Sequence, residues 1–102
     1  MSFTRTSINE AFSQPVNFEL HQNYPNPFNP ATTITISLAE GKKITLDVVS
    51  VTGELVSVIT TGYYERGNYS FNFDGRGLSS GLYFCRLKTD TYTKSIKLIL
   101  MK

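Results

Sequence analysis

The feature that most constrains this chain is a polar–apolar alternation with a period of two, written in short runs. Thr33-Ile34-Thr35-Ile36-Ser37-Leu38 and Lys43-Ile44-Thr45-Leu46-Asp47-Val48 both carry it. Asn68-Tyr69-Ser70-Phe71-Asn72-Phe73-Asp74 repeats it with aromatic residues and sets Tyr69, Phe71 and Phe73 on one side. Successive side chains of an extended chain leave on opposite faces, so each run reads as a strand with one face in a core. From Leu82 to Lys88 the pattern sets Tyr83, Cys85 and Leu87 against Phe84, Arg86 and Lys88. From Thr93 to Met101 it sets Ile96, Leu98 and Leu100 inward and Ser95 and Lys97 outward. Leu55 to Thr60 is β-branched and mostly apolar, so its inward side stays ambiguous. A short strand around Phe18 to His21 brings the total to seven.

Turn-forming residues separate these runs: Glu40-Gly41-Lys42, Thr52-Gly53, Gly62, Arg66-Gly67, Asp74-Gly75 with Gly77, Ser80-Gly81 and Asp90. Short strands at spacings near ten residues, with no helical period, predict an all-β fold: a seven-stranded antiparallel immunoglobulin-like β-sandwich. The cysteine pair and central Trp of antibody domains are absent, since the chain has one Cys and no Trp, so only the architecture is implied. A length of 102 residues suits one domain. A hydrophobic content of 40% against 18% charged residues excludes a disordered chain. No apolar run reaches the roughly 20 residues of a membrane helix, and Met1-Ser2-Phe3-Thr4-Arg5 does not open a signal peptide. Residues 1–17 show no sustained period and are expected to be a linker or flexible tail, with the domain spanning 18–102.

Chemistry is thin along the chain. The segment Gln22-Asn23-Tyr24-Pro25-Asn26-Pro27-Phe28-Asn29-Pro30 is too rich in proline to join a central strand and reads as a stiff crossing. Within it Asn26 and Asn29 can satisfy nearby backbone groups, and Phe28 is expected to plug one end of the core. His21 has no partner at metal-ligand spacing, and Cys85 lies on a core face. Asp74-Gly75-Arg76-Gly77 reads as a glycine turn, because one carboxylate is too few for Ca²⁺ and no helix follows to hold a phosphate. Asp47, Glu54 and Glu65 form no acid–base spacing, and Ser79 and Ser80 lack a base. No catalytic, cofactor-binding or metal-ligating constellation emerges, so no enzyme is expected. One charge asymmetry stands out: Arg86, Lys88, Lys94, Lys97 and Lys102 are opposed only by Asp90. Such a stripe protects a sheet edge from pairing, or docks on an acidic surface.

Taken in order, these motifs resemble the type A C-terminal sorting domain of the type IX (Por) secretion system. The resemblance covers Leu20 to Lys102. It rests on Leu20-His21-Gln22-Asn23-Tyr24-Pro25-Asn26-Pro27-Phe28-Asn29-Pro30-Ala31-Thr32-Thr33-Ile34 and on the Val48-to-Val56 stretch around Gly53. Gly67-Asn68-Tyr69, Phe73-Asp74-Gly75, Leu78-to-Leu87 with Gly81 and Tyr83, and the lysine-ended tail complete it. Phe73 stands where that family usually has Trp, Val49-Ser50 where it has Tyr-Asp, and Glu54 where it has Arg; the first keeps an aromatic core position and the others alter the surface of one hairpin.

The resemblance implies an address label at the end of a larger exported protein. Its partners would be the outer-membrane secretion machinery, a sortase-like peptidase and an N-terminal cargo domain in the parent chain. It would act with no nucleic acid, no stable membrane insertion and no cofactor. The destination would be the medium or the cell surface, with cleavage expected within residues 1–17 and a signal peptide at the start of the parent chain. The terminal basic cluster suggests that Lys94, Lys97 and Lys102, with Leu98 and the rest of the last strand and with Arg86 and Lys88 beside it, contact that machinery. Two other readings fit the same strands. One is an accessory immunoglobulin-like or fibronectin-like module binding a glycan or protein through exposed aromatics such as Phe84, Tyr63, Tyr64 and Tyr92. The other is a structural domain like the immunoglobulin-like part of flagellar hook-capping proteins; a chain stopping just after the last strand favours the terminal label over it.

Overall fold

In the computed structural model, residues 18–102 are described; the expected linker at 1–17, and the cleavage placed there, lie outside them. The described residues form seven strands and no helix. They are β1 (Phe18–Leu20), β2 (Ala31–Leu38), β3 (Lys42–Ser50), β4 (Leu55–Tyr64), β5 (Gly67–Asp74), β6 (Gly81–Lys88) and β7 (Thr93–Leu100). All pairings are antiparallel, in a three-stranded sheet ordered β1-β2-β5 and a four-stranded sheet ordered β4-β3-β6-β7. The period-two runs become these strands because Thr, Ile and Val are stiff at χ1 and pack well on a pleated surface.

The inward residues of both sheets meet in one core. Ile34 and Ile36 of β2 and Phe73 of β5 face Ile44, Leu46 and Val48 of β3, Cys85 and Leu87 of β6, and Leu98 and Leu100 of β7. Tyr69 and Phe71 lie on that same side, as the alternation requires, and both pack edge-on against Tyr64 of β4. Tyr64 is therefore turned towards the core; Tyr63, its neighbour, is exposed.

The ambiguous strand is settled by its irregularities. The register of β3 with β4 shifts between Leu46 and Asp47 and again between Val48 and Val49. Each bulge adds a residue on the longer strand and breaks strict alternation. Val56 and Ile59 thereby turn inward, while Leu55 and Val58 stay exposed. Gly53, with φ +89, lets the β3–β4 turn close over Ser50, whose hydroxyl accepts the Thr52 and Glu54 amides. Gly75 serves another purpose. A Cβ there would stand 3.1 Å from Leu100 and 3.3 Å from Phe28, so a close approach, not a turn conformation, calls for glycine.

Candidate recognition surface

The basic residues of β6 and β7 are placed by the pairing of the two strands. Cys85, Leu87, Leu98 and Leu100 point into the core, so Phe84, Arg86, Lys88 and Lys97 fall on the outer face, with Phe84 directly opposite Lys97. Lys94 pairs with Leu87 on the inward side, at the margin of the core, and its Nζ lies 5.4 Å from the Phe18 ring centroid. That cation–π contact closes the side between the sheets. Lys102 donates from Nζ to the Arg76 carbonyl at 2.8 Å and from its amide to Ser80 Oγ at 3.1 Å.

Arg86 and Lys88 converge on one carboxylate. Arg86 donates from Nε to Asp47 Oδ1 and from Nη2 to Asp47 Oδ2, both at 2.9 Å, and Lys88 Nζ lies 3.2 Å from Oδ2. Asp47 is only 2% exposed although it belongs to the outward side of β3. Burial by itself would raise its pKa; the hydrogen bonds and charges of Arg86 and Lys88 outweigh that and hold the carboxyl below its ordinary value. Two of the expected recognition cations are thus partly neutralised, while Lys97 stays exposed.

The proline-rich segment covers the free edge of β7. Its peptide bonds before Pro25, Pro27 and Pro30 are cis. Gln22 Nε2 donates to the Lys97 carbonyl at 2.9 Å, and Asn26 Oδ1 accepts the Ile99 amide at 3.0 Å. Phe28 forms a parallel bridge, its amide donating to Ile99 O and its carbonyl accepting the Met101 amide, each at 2.9 Å. Phe28 is 1% exposed and packs edge-on against Phe73, the expected plug. Asn23, also buried, donates to the Pro25 carbonyl and to Thr32 Oγ1, which fixes the entry into β2. Asn29 is exposed.

Several expectations change here. Leu98 has no exposed surface and cannot be touched by a partner; its part is in the core. The backbone of β7 from Lys97 to Met101 is already paired with Gln22, Asn26 and Phe28, so it is not open for strand addition. Cys85 is buried, and desolvation, reinforced by the Asp47 charge, pushes its thiol up to about 12. His21 is exposed beside Ser37, its Nε2 2.8 Å from Oγ. Asp74 caps its own turn, accepting the Arg76 amide at 2.9 Å and the Arg76 guanidinium at 2.8 Å. No group of three or more His, Cys, Asp or Glu that could hold a metal occurs among the described residues. Sequence reasoning missed Asp47 as the anchor of Arg86 and Lys88, and Gln22 and Asn26 as edge partners. An acid on the outward phase of a strand was the only local signal for the first.

Residues 22–101 match the family described as the secretion system C-terminal sorting domain. A comparison with curated protein sequences finds no match. Among solved structures the chain is similar to the dimeric latent PorU of Porphyromonas gingivalis, at 17% identity and a TM-score of 0.62. That similarity covers 82% of this chain and 9% of the PorU chain, and at this identity it speaks for the fold. Because the family match runs from the edge-covering segment through all of β7, the chain belongs to the secretion system C-terminal sorting domain family, and its function is that of a sorting signal.

Proposed function

We propose that this domain, residues 18–102, is the type IX sorting label of a larger cargo protein, carried across the outer membrane and then separated from its cargo by a sortase-like peptidase acting within residues 1–17. The cargo ends at the cell surface or in the medium, and the label itself performs no chemistry. The family match over residues 22–101 is the observation that carries this reading. We further assign the two sheets to the immunoglobulin-like class. The strand order β1-β2-β5 over β4-β3-β6-β7 differs from the constant-type arrangement only in the sheet joined by the fourth strand. Tyr83, two residues before Cys85 at the start of β6, donates its hydroxyl to the Ser79 carbonyl at 2.7 Å, in the manner of the tyrosine corner of such sandwiches. Recognition by the machinery falls to exposed side chains, Lys97 and Lys102 foremost, with Arg86 and Lys88 held by Asp47 on the face of Lys97 and Lys94 held at the Phe18 margin.

The test is export. A reporter with a signal peptide at its N-terminus and this chain at its C-terminus is expressed in a bacterium with intact type IX machinery and in a strain lacking it. The reporter should reach the surface or medium only in the first strain, with a new C-terminus mapping to residues 1–17. Retention in the periplasm of both strains rejects the reading. The exposed aromatics Tyr24, Tyr63 and Tyr92 lie on three different elements and form no ring pair with one another among the described residues, so they lend little to a glycan-binding role.

A further inference from the structure

The two solvent faces of the molecule differ in kind. On the three-stranded sheet, Thr33, Thr35 and Ser37 of β2 stand across from Asn72, Ser70 and Asn68 of β5. Thr33 and Asn72 hydrogen-bond at 3.4 Å, and Thr35 and Ser70 at 3.1 Å. The ladder is built of small polar groups, two of its three rungs bonded across the strands, and Ser37 Oγ lies 2.8 Å from His21 Nε2.

The outer face of the four-stranded sheet is apolar across one end. Val49, almost buried, lies between its cross-strand neighbours Leu55 and Phe84, and Leu82 and Ile99 face each other in the next row. Leu55 is 59% exposed and Val58, opposite Asp47, 49%. The strands of this face also contribute Lys43, Arg86, Lys88 and Lys97 against the single carboxylate of Asp47, a net charge of +3. Asp47 holds Arg86 and Lys88 in fixed positions, so little side-chain freedom remains to be lost there on binding. The sheet edges compete poorly as docking sites. The Gln22–Phe28 stretch covers β7, and two bulges break the regularity of β4.

We propose that the outer face of β4-β3-β6-β7 is a docking face for a protein surface carrying apolar side chains flanked by Asp and Glu. The proposal rests on the sorting-label reading for the identity of that partner as a component of the export machinery; the chemistry of the face stands without it. The apolar strip supplies the contact area, and the cations around it select a negative rim and steer the approach.

The test has two arms. In the first, the 102-residue chain is titrated by ¹H–¹⁵N NMR with an extended peptide of alternating Leu and Glu and, separately, with phosphatidylglycerol vesicles. Shifts are expected at Leu55, Val58, Phe84 and Lys97, weakening as salt is raised, and Leu55→Ser with Lys97→Glu should weaken peptide binding roughly tenfold at an unchanged Tm. No shifts, or shifts on the Thr33–Ser70 ladder, overturn the proposal, as does tighter binding to the vesicles, which would make the face a lipid surface. In the second arm, the reporter fusion carries the same pair of substitutions or the ladder substitution Ser70→Glu. Export should fall roughly tenfold for the first and hold for the second. Equal export of all three fusions sinks the docking face while leaving the label reading intact. Failure of the unsubstituted fusion with a normal peptide titration sinks the label reading alone.

Discussion

Asp47 lies on the outward side of β3 yet has almost no solvent contact, because Arg86 and Lys88 of β6 lie across it. Truncation to Ala leaves two cations facing each other, both able to regain water because about a third of each is exposed. Asp47→Ala is therefore expected to cost about 1–2 kcal/mol in urea unfolding, below the value for a fully enclosed pair. The pH dependence has a definite sign. The native carboxyl titrates below its ordinary value, so its contribution is complete above about pH 4 and disappears as the pH falls through the depressed native value. Thermal scans in acid should show this loss in the wild type and a flatter profile in Asp47→Asn. Cys85 behaves in the opposite way. Its buried thiol stays protonated and inert, so a maleimide at about pH 8 should leave the native chain unlabelled and react once it is denatured. Labelling of the native chain at the rate of a free thiol would place Cys85 elsewhere than in the core.

Among the elements, the Gln22–Pro30 segment does two separable things. Phe28 fills the end of the core, and replacement by Ala opens a cavity expected to cost about 3–5 kcal/mol. Asn26 covers one amide of an edge strand, and replacement by Ala should cost only about 1 kcal/mol. It should also speed hydrogen exchange at the Ile99 amide by about tenfold, because that amide then meets water or another chain. Exchange at Ile99 unchanged in Asn26→Ala would show that the side chain does not guard the edge. An unguarded β7 edge presents pairing groups beside Lys97, a charge that itself discourages edge-to-edge association.

For the molecule as a whole, the last strand cannot be removed to learn what it recognises. Leu98 and Leu100 are both fully buried, and β7 supplies one margin of the four-stranded sheet. Losing two such core side chains at about 2–5 kcal/mol each, together with the β6–β7 pairing they anchor, removes a large share of a stability of about 5–15 kcal/mol. Deleting Leu98–Lys102 should therefore unfold the domain, visible as loss of its cooperative thermal transition. Lys97→Glu and Lys102→Ala keep the fold and isolate recognition. A truncated domain that still melted cooperatively near the wild-type Tm would reverse this assignment of β7 as a structural strand first.

The sequence alone determined the strands, their inward faces except in β4, the plug at Phe28 and the core position of Cys85. All of these follow from local rules, since a period of two or a crowd of prolines acts over a few residues. Even the family was legible there, in motifs that span nearly every element. The tertiary structure decided which strands pair, that β4 changes phase at two bulges, and that Asn26 reaches an amide 73 residues away. It also decided that Arg86 and Lys88 answer to Asp47 before any partner, and that one outer face carries a ladder of small polar groups while the other is apolar and basic. The Asp47 and Asn26 contacts arise where residues 39 or more apart are brought together, and the bulges and faces where neighbouring strands fall into register. Only the pairing order of the sheets creates such neighbours, and no local period encodes it.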